Sequence, residues 1–349
     1  MGCGDETANG WTALQQAAFY GHLDVIDALL ANGANINELC SDGLTSLDLA
    51  AQNGHADVVK ALFAKGANIH IRATGVTALD LAAQNGHVDV VKALLNMGAN
   101  INKALYGASQ NRHVDVVKAL LDNGANINET AYGRTALDIA SQNGYIDVVK
   151  TLLDKGANLN GDIYGSPCPI YIAAQNGHVD IVKALIDKGA NINETAYGRT
   201  ALNIASQNGY IDVVKTLLDK GANLNGDIYG SLFPIYIAAK NGHVDIVKAL
   251  IDKGADINKS DTGYMTALHI AAQNGHIDIV KALIDKGADF NKKTYLGLTA
   301  RQLAAQNGCG GVVSEIDFYE KSKKQSEFKE KTQGYLPAEE DPDKPNHSF

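Results

Sequence analysis

Residues 74–102 read TGVTALDLAAQNGHVDVVKALLNMGANIN, and two helices follow from this stretch alone. Thr77 precedes a helix-compatible run and is suited to cap it, because its side-chain oxygen can accept a hydrogen bond from an otherwise unpaired backbone N–H. The run stops at Asn85-Gly86, a pair suited to ending a helix. In the next run Val90, Val91, Leu94 and Leu95 form an apolar stripe of helical period, which Gly98 terminates. Asp89 falls in the first turn, where a negative charge complements the helix dipole, and lies three residues before Lys92 on the same face. The stretch therefore predicts two short antiparallel helices.

Working outward, the same signals recur along most of the chain. A turn glycine appears at Gly21, Gly54, Gly86, Gly144, Gly177, Gly209, Gly242, Gly275 and Gly308, mostly at steps of 32 or 33 residues. Gly-Ala followed by Asn or Asp begins at Gly33, Gly66, Gly98, Gly124, Gly156, Gly189, Gly221, Gly254 and Gly287. Each unit thus holds two turns. Helices this short are marginal alone, since a costly nucleus is offset by few hydrogen bonds. Stacking buries each apolar stripe on neighbouring units and predicts a solenoid without one central core.

The period of 33, the form TALxxAAxNGHxDVVKxLLxxGANIN and the projecting turns between units, such as Asn128 to Gly133, resemble the ankyrin repeat family. The resemblance covers residues 9 to about 318. It implies an all-α array of about nine to ten helix-turn-helix units with hairpin-like turns. It also implies binding of partner proteins along hairpin tips and concave inner helices. The family's Thr-Pro-Leu-His opening is mostly Thr-Ala-Leu-Asp here, as at Thr77 to Asp80, and only His269 keeps the histidine. The hydrogen bonds of that histidine are therefore in question elsewhere.

The expected organisation is a lead at residues 1–8, an array over 9–319 and a disordered tail over 320–349, the last from its polar, charged, aromatic-poor composition. Residues 129–193 and 194–258 are two copies of a double unit, differing only at 138/203, 167/232, 168/233, 175/240 and 191/256. In alternate units Cys168 or Phe233 replaces the capping Thr, and Pro169 or Pro234 takes the first helical position, where a missing N–H is harmless. The fourth unit, near 103–128, is truncated. Aligning YGASQN with YGRTALDIASQN places a six-residue loss after Gly107, removing the cap and a core Leu and predicting a weak joint near 103–115.

At 349 residues, 45% hydrophobic and 20% charged, with 35 Gly against 6 Pro, the composition fits a folded chain with many regular turns. The formal charge of -9 and the lack of a Lys/Arg cluster outside the tail argue against nucleic acid as a partner. Cys3, Cys40, Cys168 and Cys309 lie far apart without CxxC spacing and read as reduced thiols. No apolar run reaches membrane-spanning length, so cytoplasm or nucleus is the expected address. A membrane role would require acylation at Gly2 and Cys3, although Glu6 stands where the myristoylation motif wants Ser or Thr.

Histidines 22, 55, 87, 113, 178, 243 and 276 share one position per unit. Successive units are separated by about 10 Å, whereas zinc ligands converge within about 2 Å of one ion, so turn hydrogen bonding is expected rather than metal. No phosphate loop, HExxH or GxSxG is present, and no catalytic residue, cofactor or metal is expected.

Tyrosines mark the projecting turns. Tyr106, Tyr132, Tyr164, Tyr197 and Tyr229 each precede a turn glycine, with Tyr264 and Tyr295 nearby. Exposed Tyr combines apolar area with a hydroxyl, as interface hot spots do; the competing account has the rings packing on neighbouring turns. The expected protein-binding set is Tyr132, Arg134, Asp162, Tyr164, Tyr197, Arg199, Asp227 and Tyr229. Asn258 and Asn291 follow Asp-hydrophobic pairs resembling the pattern hydroxylated in some ankyrin proteins. The expected function is a monomeric scaffold or adaptor for other proteins. The alternative is the regulatory or targeting portion of a kinase, ligase or transferase complex whose catalytic part lies on another chain.

Overall fold

The computed structural model describes residues 10–71, 75–101, 103–160, 167–225 and 233–333. Among them are twenty helices and no strands, built as consecutive pairs. The first six pairs are α1 (Ala13–Tyr20) with α2 (Leu23–Ala31), α3 (Ser46–Gln52) with α4 (Ala56–Ala64), α5 (Ala78–Gln84) with α6 (Val88–Asn96), α7 (Ala104–Gln110) with α8 (Val114–Asp122), α9 (Ala136–Asn143) with α10 (Ile146–Asp154), and α11 (Pro169–Gln175) with α12 (Val179–Asp187). Then come α13 (Ala201–Asn208) with α14 (Ile211–Asp219), α15 (Pro234–Asn241) with α16 (Val244–Asp252), α17 (Ala267–Gln273) with α18 (Ile277–Asp285), and α19 (Ala300–Gln306) with α20 (Gly310–Gln333). The chain divides into two compact bodies, Met1–Ala205 with Asp219–Ala222, and Ser206–Leu218 with Asn223–Phe349.

In the first body α1, α3, α5, α7, α9 and α11 pack in sequence as one layer, and α2, α4, α6, α8, α10 and α12 as another. The second body repeats the layering with α15, α17 and α19 against α16, α18 and α20. The core is a row of equivalent positions. Val58, Val59 and Leu62 of α4 recur as Val90, Val91 and Leu94 of α6 and as Val116, Val117 and Leu120 of α8, all buried. This stacking stabilises helices of seven to nine residues, which would melt in isolation.

Local chemistry starts most of the first helices. The Thr77 hydroxyl accepts from Asp80 N–H, and Asp80 accepts from the Thr77 backbone at 2.9 Å, a reciprocal capping box. Thr12–Gln15, Thr45–Asp48, Thr135–Asp138, Thr266–His269 and Thr299–Gln302 repeat it. Asp therefore serves the cap as well as His does. The link to the next turn depends on the residue: His269 Nε2 donates to the Lys292 carbonyl at 3.0 Å, and Gln15 Nε2 donates to the Glu38 carbonyl at 3.0 Å. A carboxylate has no proton to donate in this way. Asp48 and Asp80 keep the cap and give up that bond. Cys168 and Phe233 make no side-chain cap, and Pro169 and Pro234 begin their helices.

The joint between units is a histidine seated on a glycine. His87 Nε2 donates to the Gln52 carbonyl of the preceding unit at 2.9 Å, and a Cβ on Gly54 would lie 2.6 Å from its Nδ1. Gly54 also has φ +82, so no other residue fits without strain. His55, His113, His178, His243 and His276 make the same bond to Phe19, Gln84, Gln142, Gln207 and Lys240. Among the described residues no three potential metal ligands converge.

Two expectations need correction. The fourth unit loses neither its first helix nor its core leucine: α7 is complete, and Leu105, 4% exposed, occupies the position of Leu79. The missing residues belong to the hairpin, because an absent helix would leave a gap between α5 and α9, whereas an absent surface turn leaves none. The cap is lost, since Lys103 makes no side-chain cap bond. Nor does the tail begin at 320, because α20 continues to Gln333. Its Glu, Lys and Gln content favours helix once the first turns are docked. Tyr319 donates to Asp285 at 2.5 Å, and Lys323 lies 5.5 Å from the Phe290 ring.

Candidate protein-binding surface

The hairpin tips carry the most exposed aromatic side chains. In the fifth unit Ala131 N donates to the Arg134 carbonyl at 2.9 Å, and Arg134 N returns a bond to the Ala131 carbonyl at 3.1 Å. The two residues between them, Tyr132 and Gly133, have φ 56 and 73. Positive φ at both centres defines a type I′ turn, for which Asn-Gly is the usual pair. Tyr197 and Gly198 repeat it at φ 53 and 70, between Ala196 and Arg199. A left-handed backbone costs an L-residue with a Cβ about 1–2 kcal/mol. Yet Tyr132 and Tyr197 are 79% and 73% exposed, so little burial offsets that cost within the fold.

Each tip ring is braced at its edge. Tyr106 meets Tyr132 edge-on with centroids 5.8 Å apart, and Tyr171 of α11 meets Tyr197 in the same way at 6.4 Å. Tyr106 is thus a helical residue of α7, and not the turn residue that its Gly neighbour suggested. Lys103 Nζ lies 5.2 Å from the Tyr132 centroid, a cation–π approach that orients the ring further. The rings therefore touch neighbours and still face solvent. Arg134 extends from the tip along α9 to donate to Gln142. Burial raises the Tyr171 hydroxyl above its ordinary pKa, opposed by the charge of Arg199. Burial, helped by Glu194, pushes the Cys168 thiol up to about 11, so it stays protonated and unreactive at neutral pH.

Asp162, Tyr164, Asp227 and Tyr229, from the alternate tips, lie outside the described residues, as do Gly2 and Cys3. Asn258 is part of a ladder: its Oδ1 accepts from Asp289 N of the next unit at 2.9 Å, as Asn37 does from Asn68 and Asn128 from Asn158. Its carboxamide is engaged in structure. Asn291 is exposed, and its backbone N donates to Asp289 at 2.9 Å. Further along, Tyr264 also sits at positive φ, and Tyr295 and Leu296 are each 78% exposed. Tyr295 N donates to the Gly263 carbonyl at 2.9 Å, tying those adjacent turns together. Motif reading took Tyr106 for a turn residue and missed Tyr171, although their separation of 65 positions equals that of the duplicated double units.

The first helices expose little. In α3 every residue from Ser46 to Ala51 is buried, and polar exposure begins at the Gln-Asn ends. No described helix is long and apolar enough to cross a membrane. A family model described as ankyrin repeats in three copies matches residues 1–73, 42–104, 82–163, 164–227 and 235–316. The chain belongs to the ankyrin repeat family, whose repeats serve as protein–protein interaction modules. No curated protein matches the sequence.

Proposed function

We propose that this protein is an adaptor or scaffold that holds partner proteins through its tyrosine-tipped hairpins. One observation carries the reading: Tyr132 and Tyr197 occupy strained left-handed positions that Asn would fill without strain, and remain mostly exposed. A costly residue that stabilises the free fold so little is explained by a contact made outside it. Bracing by Tyr106 and Tyr171 fixes the rings before any partner arrives, which lowers the entropy lost on binding.

The test is co-purification and mass spectrometry from native extract, comparing wild type with Tyr132→Ser/Tyr197→Ser, with thermal melts as the folding control. Proteins lost only from the folded variant support the reading. An identical partner set for both chains would remove the tips from binding.

A further inference from the structure

The outer helices are joined by a ladder of ion pairs, and its last rung has a different chemistry. Lys155 reaches Asp122 at 2.7 Å, Lys220 reaches Asp187 at 2.7 Å and Lys286 reaches Asp252 at 3.4 Å, each 33 or 34 positions back. At the final step Asp285, 34 positions before Tyr319, accepts from the Tyr319 hydroxyl at 2.5 Å. Tyr319 therefore stands on α20 where earlier units carry a lysine. The bond to Asp285, helped by burial, pushes the hydroxyl's pKa up to about 12, so at neutral pH the group is an uncharged donor. A lysine at this rung is a fixed cation, whereas a tyrosine can be converted to an anion. Phosphorylation removes the phenolic proton and adds roughly −1.5 to −2 charges.

Tyr319 also marks the limit of what holds α20 to the array. Before it, Val312 and Ile316 are buried, Glu315 pairs with Lys281 at 3.4 Å, and Arg301 donates through Nε and Nη2 to Asp317 at 2.5 and 3.0 Å. Beyond it, every residue from Lys321 to Ser326 is exposed. Helical turns that bury so little open locally at small cost, which gives an enzyme access to Tyr319 from the C-terminal side. The surrounding charges oppose an added phosphate. Asp285 and Asp289 face it from α18 and the turn that follows, and Glu315 lies one turn earlier on α20. Lys281 and Lys286 are engaged by Glu315 and Asp252, which leaves Lys323 against the two aspartates.

We propose that Tyr319 is a phosphorylation site whose modification releases the end of α20 from α18. A protein tyrosine kinase transfers the γ-phosphoryl group of a nucleoside triphosphate to Oη. The bond to the leaving diphosphate breaks, the Oη–phosphorus bond forms, and the phenolic proton passes to the kinase's base. The hydrogen bond to Asp285 is then lost and replaced by repulsion, so the helix detaches from Phe318 onward. Ile284, Ala288 and Phe290, which line the cleft under Tyr319 and Lys323, come to the surface. The earlier turns stay docked through Val312, Ile316 and the Arg301–Asp317 pair. The switch is independent of the tyrosine tips.

The experiment uses the full chain in two arms. In the first, a purified protein tyrosine kinase and ATP are added, and the modified residues are mapped by mass spectrometry with Tyr319→Phe as control. Phosphate at Tyr319 is expected; phosphate on exposed tyrosines such as Tyr295 with none on Tyr319 overturns the proposal. In the second, phosphotyrosine is installed at position 319 by an expanded genetic code, and amide hydrogen exchange is followed over 284–292 and 316–323. Exchange in both segments is expected to rise about tenfold while α16 is unchanged. Tyr319→Phe, which loses the bond without adding charge, is expected to give a rise of only about twofold. Asp285→Asn in the phosphorylated chain is expected to restore part of the protection. Unchanged exchange after phosphorylation, an equal rise in Tyr319→Phe, a rise that Asp285→Asn leaves untouched, or one that extends to α16 overturns the proposal.

Discussion

The third and fourth units share a core, an outer helix and a histidine joint, and differ at the start and end of the first helix and in the hairpin. α5 begins at a capping box and ends at Gly86 with φ +80, whereas α7 begins at uncapped Lys103 and ends at Arg112 with φ 64. Both bury their Leu, Leu79 and Leu105, and both outer helices bury the same three apolar positions. His113 still reaches back to Gln84 at 3.0 Å. The array thus holds its layer spacing through packing and the histidine joint, while caps, turn glycines and hairpins can vary unit by unit. The hairpins are accordingly where neighbouring units can acquire different binding properties.

The largest expected effect tests whether the fourth unit is a full member of the stack. Leu105→Ala is expected to cost about 2–5 kcal/mol, like Leu79→Ala. Denaturant unfolding of the two variants checks this. A near-zero effect at Leu105 beside a full effect at Leu79 would mean that the fourth unit is a slack joint.

Next in size is the turn. Gly86→Ala forces a Cβ to within 2.5 Å of His113 Nδ1 at positive φ, and is expected to destabilise by about 1–3 kcal/mol. Arg112→Gly should go the other way, by up to about 1 kcal/mol, since glycine takes left-handed φ freely. The gain is reduced by loss of the Arg112–Asp147 ion pair at 3.1 Å and the approach to the Tyr145 ring. Thermal melts of the pair read both signs.

Titration distinguishes the carboxylate caps from the histidine cap. Burial raises Asp48 above its ordinary pKa, outweighing its bonds from Thr45. The folded form therefore holds the proton more tightly than the unfolded chain, and the site's contribution to stability is lost as pH rises through the folded value. Asp48→Asn, which copies the Thr200–Asn203 cap already present, is expected to be more stable than wild type at neutral pH and to lose that advantage in acid. Burial lowers His269, so its contribution is present above the unfolded value near 6.5 and declines as pH falls from there through the folded one. His269→Gln, which copies Gln15, should remove that decline. Urea midpoints against pH measure both.

The stack is legible in the sequence because each unit states its period and its stops several times over. Thr77, Asn85-Gly86 and Gly98 fall where the helices begin and end, give or take a residue. The six-residue loss is misplaced by sequence alone because YGASQN matches a turn sequence better than a helix start. Letters at Gly107 cannot report that the gap between α5 and α9 demands a helix. The helical start of the tail is missed because composition omits the support that Asp285 and Phe290 give to α20. At the tips, tyrosine exposure is readable, but the left-handed backbone and the bracing from a preceding helix are relations in space between residues 26 positions apart.

The smallest expected effect concerns the outer helices, where a charge ladder runs between units. Lys155 pairs with Asp122 at 2.7 Å, Lys188 with Asp154 at 2.9 Å and Lys220 with Asp187 at 2.7 Å. Short distances suggest strength, but the partners are largely exposed, and water screens such pairs to about 0–1 kcal/mol each. Lys155→Ala is therefore expected to shift the unfolding midpoint barely, and the shift should vanish in high salt. A salt-resistant loss as large as that of Gly86→Ala would mean that the ladder, and not the histidine joint, holds adjacent units in register. The contrast is decidable because the fourth unit keeps both devices while lacking its hairpin: Asp122 at its end pairs forward and His113 binds back.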